Sequence, residues 1–332
     1  MKKIINKPEN VVDEMLKGLV LAHPKYLSRI DGFEVITRAD KKEGKVALVS
    51  GGGSGHEPSH AGFVGEGMLD AAVCGAVFTS PTPDQVFEAI KGVKTDAGVL
   101  LIIKNYTGDV MNFEMAMEMA EAEDIKVDKV VIDDDVAVMN STWTVGRRGI
   151  AGTVLLHKIT GAAAESGKDL AGVKAVAEKV VANVRSMGVA LTPCIVPEAG
   201  KPSFTLEEDE MEVGLGIHGE PGVEKMKIKT ADEIVDILMG KILGDMPLAS
   251  GDEVVVLVNG LGGTPLMEMY VVNRKVNEIL AGKGVKIIDT VVGNYMTSIE
   301  MAGLSLSVLK LDDELKALYA AKADTPALKS FG

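Results

Sequence analysis

The chain has 332 residues, 46% of them hydrophobic and 4% aromatic, with 37 glycines and a formal charge of -13. A chain of this length buries about three-quarters of its unfolded surface and has room for one large or two ordinary domains, so a disordered or disulfide-stapled protein is excluded as a starting point. The excess of acid argues against a nucleic-acid partner, because Lys and Arg supply most of the affinity for a phosphate backbone.

At the N-terminus, MKKIINKPENVVDEM carries the lysines of a signal peptide, but Asn, Pro and Glu interrupt any apolar segment, and no run of about eighteen apolar residues follows anywhere. A cytoplasmic protein without a membrane partner is expected. Cys74 and Cys194 sit in the apolar runs AAVCGAV and TPCIVP and read as small core residues of a reducing compartment.

From residue 45 onward, short β-rich runs alternate with amphipathic ones. KVALVS, DAAVCGAVF, GVLLIIK and KVVIDDDV are predicted strands, and PDQVFEAIKGVK and VMNFEMAMEMAEAE are predicted helices, which is the βαβ rhythm of a largely parallel sheet. Met111, Met115 and Met119 have helical spacing and predict core packing. Asp133, Asp134 and Asp135 follow an apolar strand and read as a solvated loop rather than a metal site.

Two helices are predicted over 149–165 and 169–187, the second placing Leu170, Val173, Ala177, Val180, Val181 and Val184 at helical spacing. Beyond them lie VALTPCIVP, an extended PSFTLEEDE, a strand-like MEVGLGIHG, a helix over 231–245, the strand DEVVVLVNG, another helix, and the strands VKIIDTVVG and LSLSVLKL. The expected architecture is two α/β domains, 1–187 and 188–332, each with a largely parallel or mixed sheet flanked by helices.

The stretch GGGSGHEP after the first of these strands is the densest motif in the chain. A Walker phosphate loop would need Gly-Lys-Ser/Thr at its end, which is missing. The dinucleotide pattern Gly-x-Gly-x-x-Gly puts His56 or Pro58 where its third glycine belongs, which undercuts a dehydrogenase. HEPSH matches the letters of a zinc-protease motif, yet Pro58 cannot sit inside the helix that would bring His56 and His60 to one face, so no metal site is expected. Pro58 fits if a helix begins there, leaving His56 in a glycine loop whose free N–H groups suit polar or phosphorylated oxygens, or which is only a tight turn. Asp109, ahead of an apolar periodic run, has the ordinary use of capping the helix starting at Val110.

GGGSGHEP, KNYTGD (104–109) and GLGIHGEPG (214–222), with GAVFTSPTPDQ (75–85), MNSTWTVGRRGIAGTVLLHKI (139–159) and NGLGGTPLMEMY (259–270), resemble one family in order along almost the whole chain. That family is the dihydroxyacetone-binding K subunit of dihydroxyacetone kinase. The resemblance implies a homodimer of two-domain subunits. In it, His218 bonds to the ligand's carbonyl carbon as a hemiaminal, Asp109 is the acid/base group, and His56 is the loop histidine. Ligand hydroxyls are held by Gly52, Gly53, Ser54, Gly55 and Lys104, with Ser80 contributing from the next loop.

Those residue types suit the roles. A neutral imidazole can add to a ketone if a donor meets the developing alkoxide, and His56 is a candidate for that donor. Covalent capture excludes glycerol, which has no carbonyl. Family members that use ATP directly carry a further all-helical nucleotide domain, and this sequence ends at Gly332. The resemblance therefore implies a phosphotransferase-dependent system with no cofactor in this subunit. An L subunit bearing ADP and magnesium supplies the phosphoryl group, recharged by an M protein. The competing expectation is a sensor paralogue that binds dihydroxyacetone as coactivator of a transcription regulator.

Overall fold

The computed structural model describes residues 2–139 and 146–332, so positions 140–145 of the MNSTWTVGRRG stretch lie outside the described residues. The first half runs α1 (Val11–Ala22), β1 (Leu27–Arg29), β2 (Val35–Arg38), β3 (Ala47–Ser54), β4 (Ala71–Val77), α2 (Pro83–Val93), β5 (Val99–Lys104), α3 (Thr107–Ala122), β6 (Val127–Ile132), α4 (Gly152–Glu165) and α5 (Leu170–Asn183). The second runs β7 (Val184–Ala190), β8 (Glu210–Val213), β9 (Glu224–Lys227), α6 (Ala231–Asp245), β10 (Glu253–Gly260), α7 (Leu266–Gly282), β11 (Lys286–Gly293), β12 (Gly303–Leu311) and α8 (Asp313–Ala320).

Two six-stranded sheets result, ordered β1-β2-β4-β3-β5-β6 and β11-β10-β12-β7-β8-β9. In the first sheet β4, β3, β5 and β6 are parallel. In the second only β10 and β11 run parallel. This is the expected α/β class, with mixed sheets flanked by helices.

Strand alternation builds the layers. On the first sheet Leu48, Leu100 and Ile102 face one way, toward α4, α5 and the inner face of the second sheet, where Val255, Leu257 and Leu309 meet them. Val49, Leu101 and Ile103 face the other way, onto α2 and α3. Val254, Val256 and Val258 pack under α6 and α7. Helix α4 is buried from Gly152 to Ala164, and two of its polar residues find partners inside the protein, His157 in His60 and Lys158 in the Ala321 carbonyl.

Several local expectations are corrected. The helix predicted to 187 ends at Asn183, and Val184–Ala190 is a strand pairing with β12, so the expected division at 187/188 falls inside β7. Its β-branched residues gain more from ladder bonds than from one further helical turn. Of the strand-like MEVGLGIHG (211–219) only the first three residues are strand, as the end of β8 (Glu210–Val213). Met111, Met115 and Met119 are exposed, since α3 turns Phe113, Ala116 and Ala120 to the sheet. Asp134 and Asp135 are buried, the first accepting from the backbone N–H groups of Ile150 and Gly152, the second pairing with the buried Arg148.

Candidate active site

The glycine run is part of a strand. β3 extends through Ser54, paired on one side with β4 up to Val77 and on the other with β5 up to Ile102. No α-helix starts at Pro58; a single 3-10 turn covers Ala61–Phe63. The glycines serve close approach: a Cβ on Gly53 would lie 2.5 Å from the backbone nitrogen of Thr79, and one on Gly52 would strike Lys104 Nζ. Phe78, held at φ 56°, stacks on His56 with ring centroids 5.1 Å apart. A bulky residue in the left-handed region is rare and marks a constrained turn.

Lys104 ends β5 and is fully buried. Its Nζ lies 3.1 Å from His60 Nε2, 3.4 Å from Gly51 O and 3.7 Å from Asp109 Oδ2. Burial pulls this lysine's pKa down, against the opposing charges of Asp109 and Glu220. Asp109 is the third residue of α3, which begins at Thr107, so it does not cap the helix; it sits in a first turn where a carboxylate is favoured by the dipole. Its Oδ1 is buried without a hydrogen-bond partner. Ser80 lies against Gly108, where an added Cβ would be 2.7 Å from its hydroxyl.

His56 is buried, and its Nδ1 is 2.7 Å from the carbonyl oxygen of Thr297. A carbonyl only accepts, so Nδ1 carries the hydrogen and Nε2 presents a lone pair. Nε2 has no partner. Burial, then the neighbouring His218 and Lys104, drive this imidazole's pKa well below its ordinary value, so donation from Nε2 requires that it first receive a proton.

His218 comes from the second half, in the loop 214–222 between β8 and β9. The loop is tied by Glu220, whose Oε1 accepts from His218 Nδ1 at 2.8 Å and whose Oε2 accepts from the His218 backbone N–H at 2.9 Å. With Nδ1–H so held, Nε2 is left with a free lone pair. Burial pushes the Glu220 carboxyl up, but the neighbouring His218 and Arg148 outweigh it and bring it down to about 2. The His218 ring lies 4.8 Å from that of His56, 4.6 Å from Tyr106 and 5.2 Å from Phe78.

A cleft of about 660 Å³ separates the two halves and is lined by Gly53, Ser80, Asp109 and His218 together with Phe78, Tyr106 and Phe204. Lys104 and His56 stand behind it; Gly52, Ser54 and Gly55 belong to the strand and turn carrying Gly53. His56 and His60 have different partners, the latter bonding to His157. Sequence reasoning passed over Glu220, Tyr106, Phe78 and His157, and weighed His60 only as a zinc ligand, whereas it bonds to His157 and Lys104. Of the residues passed over, Glu220 alone carried a local signal, two residues beyond His218.

Comparison with known proteins gives a family to this geometry. The Dak1 domain model matches residues 17–327. The chain belongs to the Dak1 family. A curated relative, the dihydroxyacetone-binding subunit DhaK of PTS-dependent dihydroxyacetone kinase 1 from Listeria innocua, is 60% identical over 314 residues, covering 95% of each chain. The dihydroxyacetone kinase of C. freundii superposes with a TM-score of 0.92 at 35% identity, covering 99% of this chain and 60% of that one. The dihydroxyacetone kinase operon co-activator DhaQ superposes with a TM-score of 0.91 at 36% identity, covering 96% and 98%. Among the described residues, no helix is long and apolar enough to cross a membrane.

Proposed function

We propose that this Dak1 chain is the dihydroxyacetone-binding, acid/base subunit of a dihydroxyacetone kinase, and that it holds the ketone as a hemiaminal on His218. The observation that carries the reading is the set of open valences around one cleft: a His218 ring whose Nδ1–H is committed to Glu220, beside His56 Nε2 and Asp109 Oδ1, both buried and unpartnered. Buried polar atoms without partners are rare, and here they surround a place for a polyhydroxylated ligand.

His218 Nε2 adds to the carbonyl carbon, and the C=O π pair becomes an alkoxide. That oxygen takes up one proton, passed through His56 from water, and the imidazole gives one up at Nδ1, which passes by way of Glu220 to the hydroxide left behind. The gain is one whole ligand. With the carbon anchored, a terminal hydroxyl faces Asp109, which accepts its proton as the oxygen attacks phosphorus. Fixing the nucleophile within the complex is worth effective molarities on the order of 10⁵ M or more. Gly53, Ser80 and Lys104, with Gly52, Ser54 and Gly55 shaping the strand end, hold the remaining hydroxyls.

The phosphoryl donor in this reading is a separate L subunit carrying ADP and magnesium, recharged by an M protein, and the working form is a cytoplasmic homodimer. The phosphotransferase-dependent relative supports that choice. A sensor function is the second reading, favoured by the superposition on the co-activator. A coupled assay with purified L and M proteins separates them: dihydroxyacetone phosphate accumulates if the chain is a kinase subunit, and none forms if it only senses.

A further inference from the structure

Three buried bases run in line behind the cleft, and the reaction above uses only the first. Lys104 Nζ is 3.1 Å from His60 Nε2, and His60 Nδ1 is 2.9 Å from His157 Nε2. All three side chains are 4% exposed or less. They come from three separate elements: the end of β5, the turn after β3, and α4, the helix enclosed between the sheets.

An ammonium has only donors, so His60 Nε2 must accept if Lys104 is charged. His60 then carries its hydrogen on Nδ1 and donates to His157 Nε2, which places the second ring's hydrogen on its own Nδ1. One tautomer of each ring satisfies the contacts of the line, and the His157 Nδ1–H at its end is buried without a partner. If the rings turned over, His60 would present an N–H to the amine, which could stay bonded only as a neutral acceptor. We infer that His60, held by His157, is a positioning residue that keeps Lys104 a charged hydrogen-bond donor toward the ligand hydroxyl and toward Asp109.

The surroundings agree. Burial and the Lys104 charge keep His60 neutral, as acceptance requires, and hold His157 down to about 3. The groups that bear on Lys104 are Asp109 from α3, Glu220 from the loop after β8, His60 from the turn after β3 and, through His60, His157 from α4; His56 feels the lysine as well. The two carboxylates favour the ammonium and burial opposes it. A committed acceptor at His60 adds to the carboxylates' side against burial.

This inference rests on the proposed use of Lys104 for ligand binding, so it is read first without ligand. Lys104 is followed by NMR of protein labelled with ¹⁵N at lysine Nζ, its signal assigned through Lys104→Arg. In His60→Leu the ammonium loses an acceptor, and its titration should fall by about one pH unit or more, the equivalent of one hydrogen bond to a charged group. In His60→Gln, whose carboxamide oxygen reaches the position of Nε2, it should return to the wild-type value. His157→Leu should give a smaller fall and covers the case in which His60→Leu does not fold. The basic limb of dihydroxyacetone binding should move down with each leucine variant and return to the wild-type position with His60→Gln. A Lys104 titration unchanged in both leucine variants overturns the inference. Failure of wild-type protein to form the adduct instead overturns the function proposed above, and the two results are read on different samples.

Discussion

The two halves of the molecule bring opposite kinds of residue to the cleft. The first delivers Lys104 and Asp109 at side-chain exposures of 0% and 5%, fixed at the carboxyl end of a parallel strand and in the next helical turn. The second delivers His218 with a side-chain exposure of 19%, on a loop held by one glutamate. Groups that act by charge gain from a low dielectric and rigid support, whereas a group that must meet a carbonyl needs access and a free lone pair. The contrast fits the proposed division, capture in one half and proton transfer in the other, and substitutions should separate them.

The largest effect is expected for His218→Ala, which should abolish the ligand adduct in intact-mass measurements while the wild type gains one whole dihydroxyacetone. Asp109→Asn should keep the adduct but slow phosphoryl transfer by roughly 10²–10⁴-fold in the coupled assay. Loss of the adduct in that variant would break the division of labour. Glu220→Gln should sharpen it, lowering the rate of adduct formation about tenfold, since an ionic hydrogen bond to His218 Nδ1 becomes a neutral one.

A further effect touches stability alone and leaves the chemistry at neutral pH unchanged. His157 has a folded pKa of about 3, against an ordinary imidazole value of 6.5. As pH falls below about 6.5, the unfolded chain takes up a proton that the folded one refuses, so stability present at higher pH is lost progressively toward pH 3. In denaturant titrations His157→Leu should flatten this decline by up to about 1.4 kcal/mol per pH unit. His56 and His60, also depressed, act in the same sense in the first half.

Where hydrophobic period and composition agreed, the sequence was readable: the helix expected over 231–245 is α6, and the four early strands fall where their β-branched runs lie. GGGSGHEP was misread because nothing local tells a glycine loop from a glycine strand; pairing with β4 and β5 decides it. The methionine stripe on α3 showed one face of a helix, but the small residues opposite it pack on the sheet. Asp135 finds its partner thirteen residues on, in Arg148, so its burial is a tertiary fact. The same holds for His60 and His157, which are 97 residues apart. The meeting of His218 with Asp109 across the cleft was implied only through resemblance, because no spacing in the chain encodes it.

The central claim is that a ketone is held by a bond to His218, and a crystal soaked in dihydroxyacetone tests it most directly. The account predicts density continuous from Nε2 to a tetrahedral carbon at about 1.45 Å, the length of a single C–N bond. A planar ligand lying about 3.5 Å from the ring, at van der Waals contact, would contradict it.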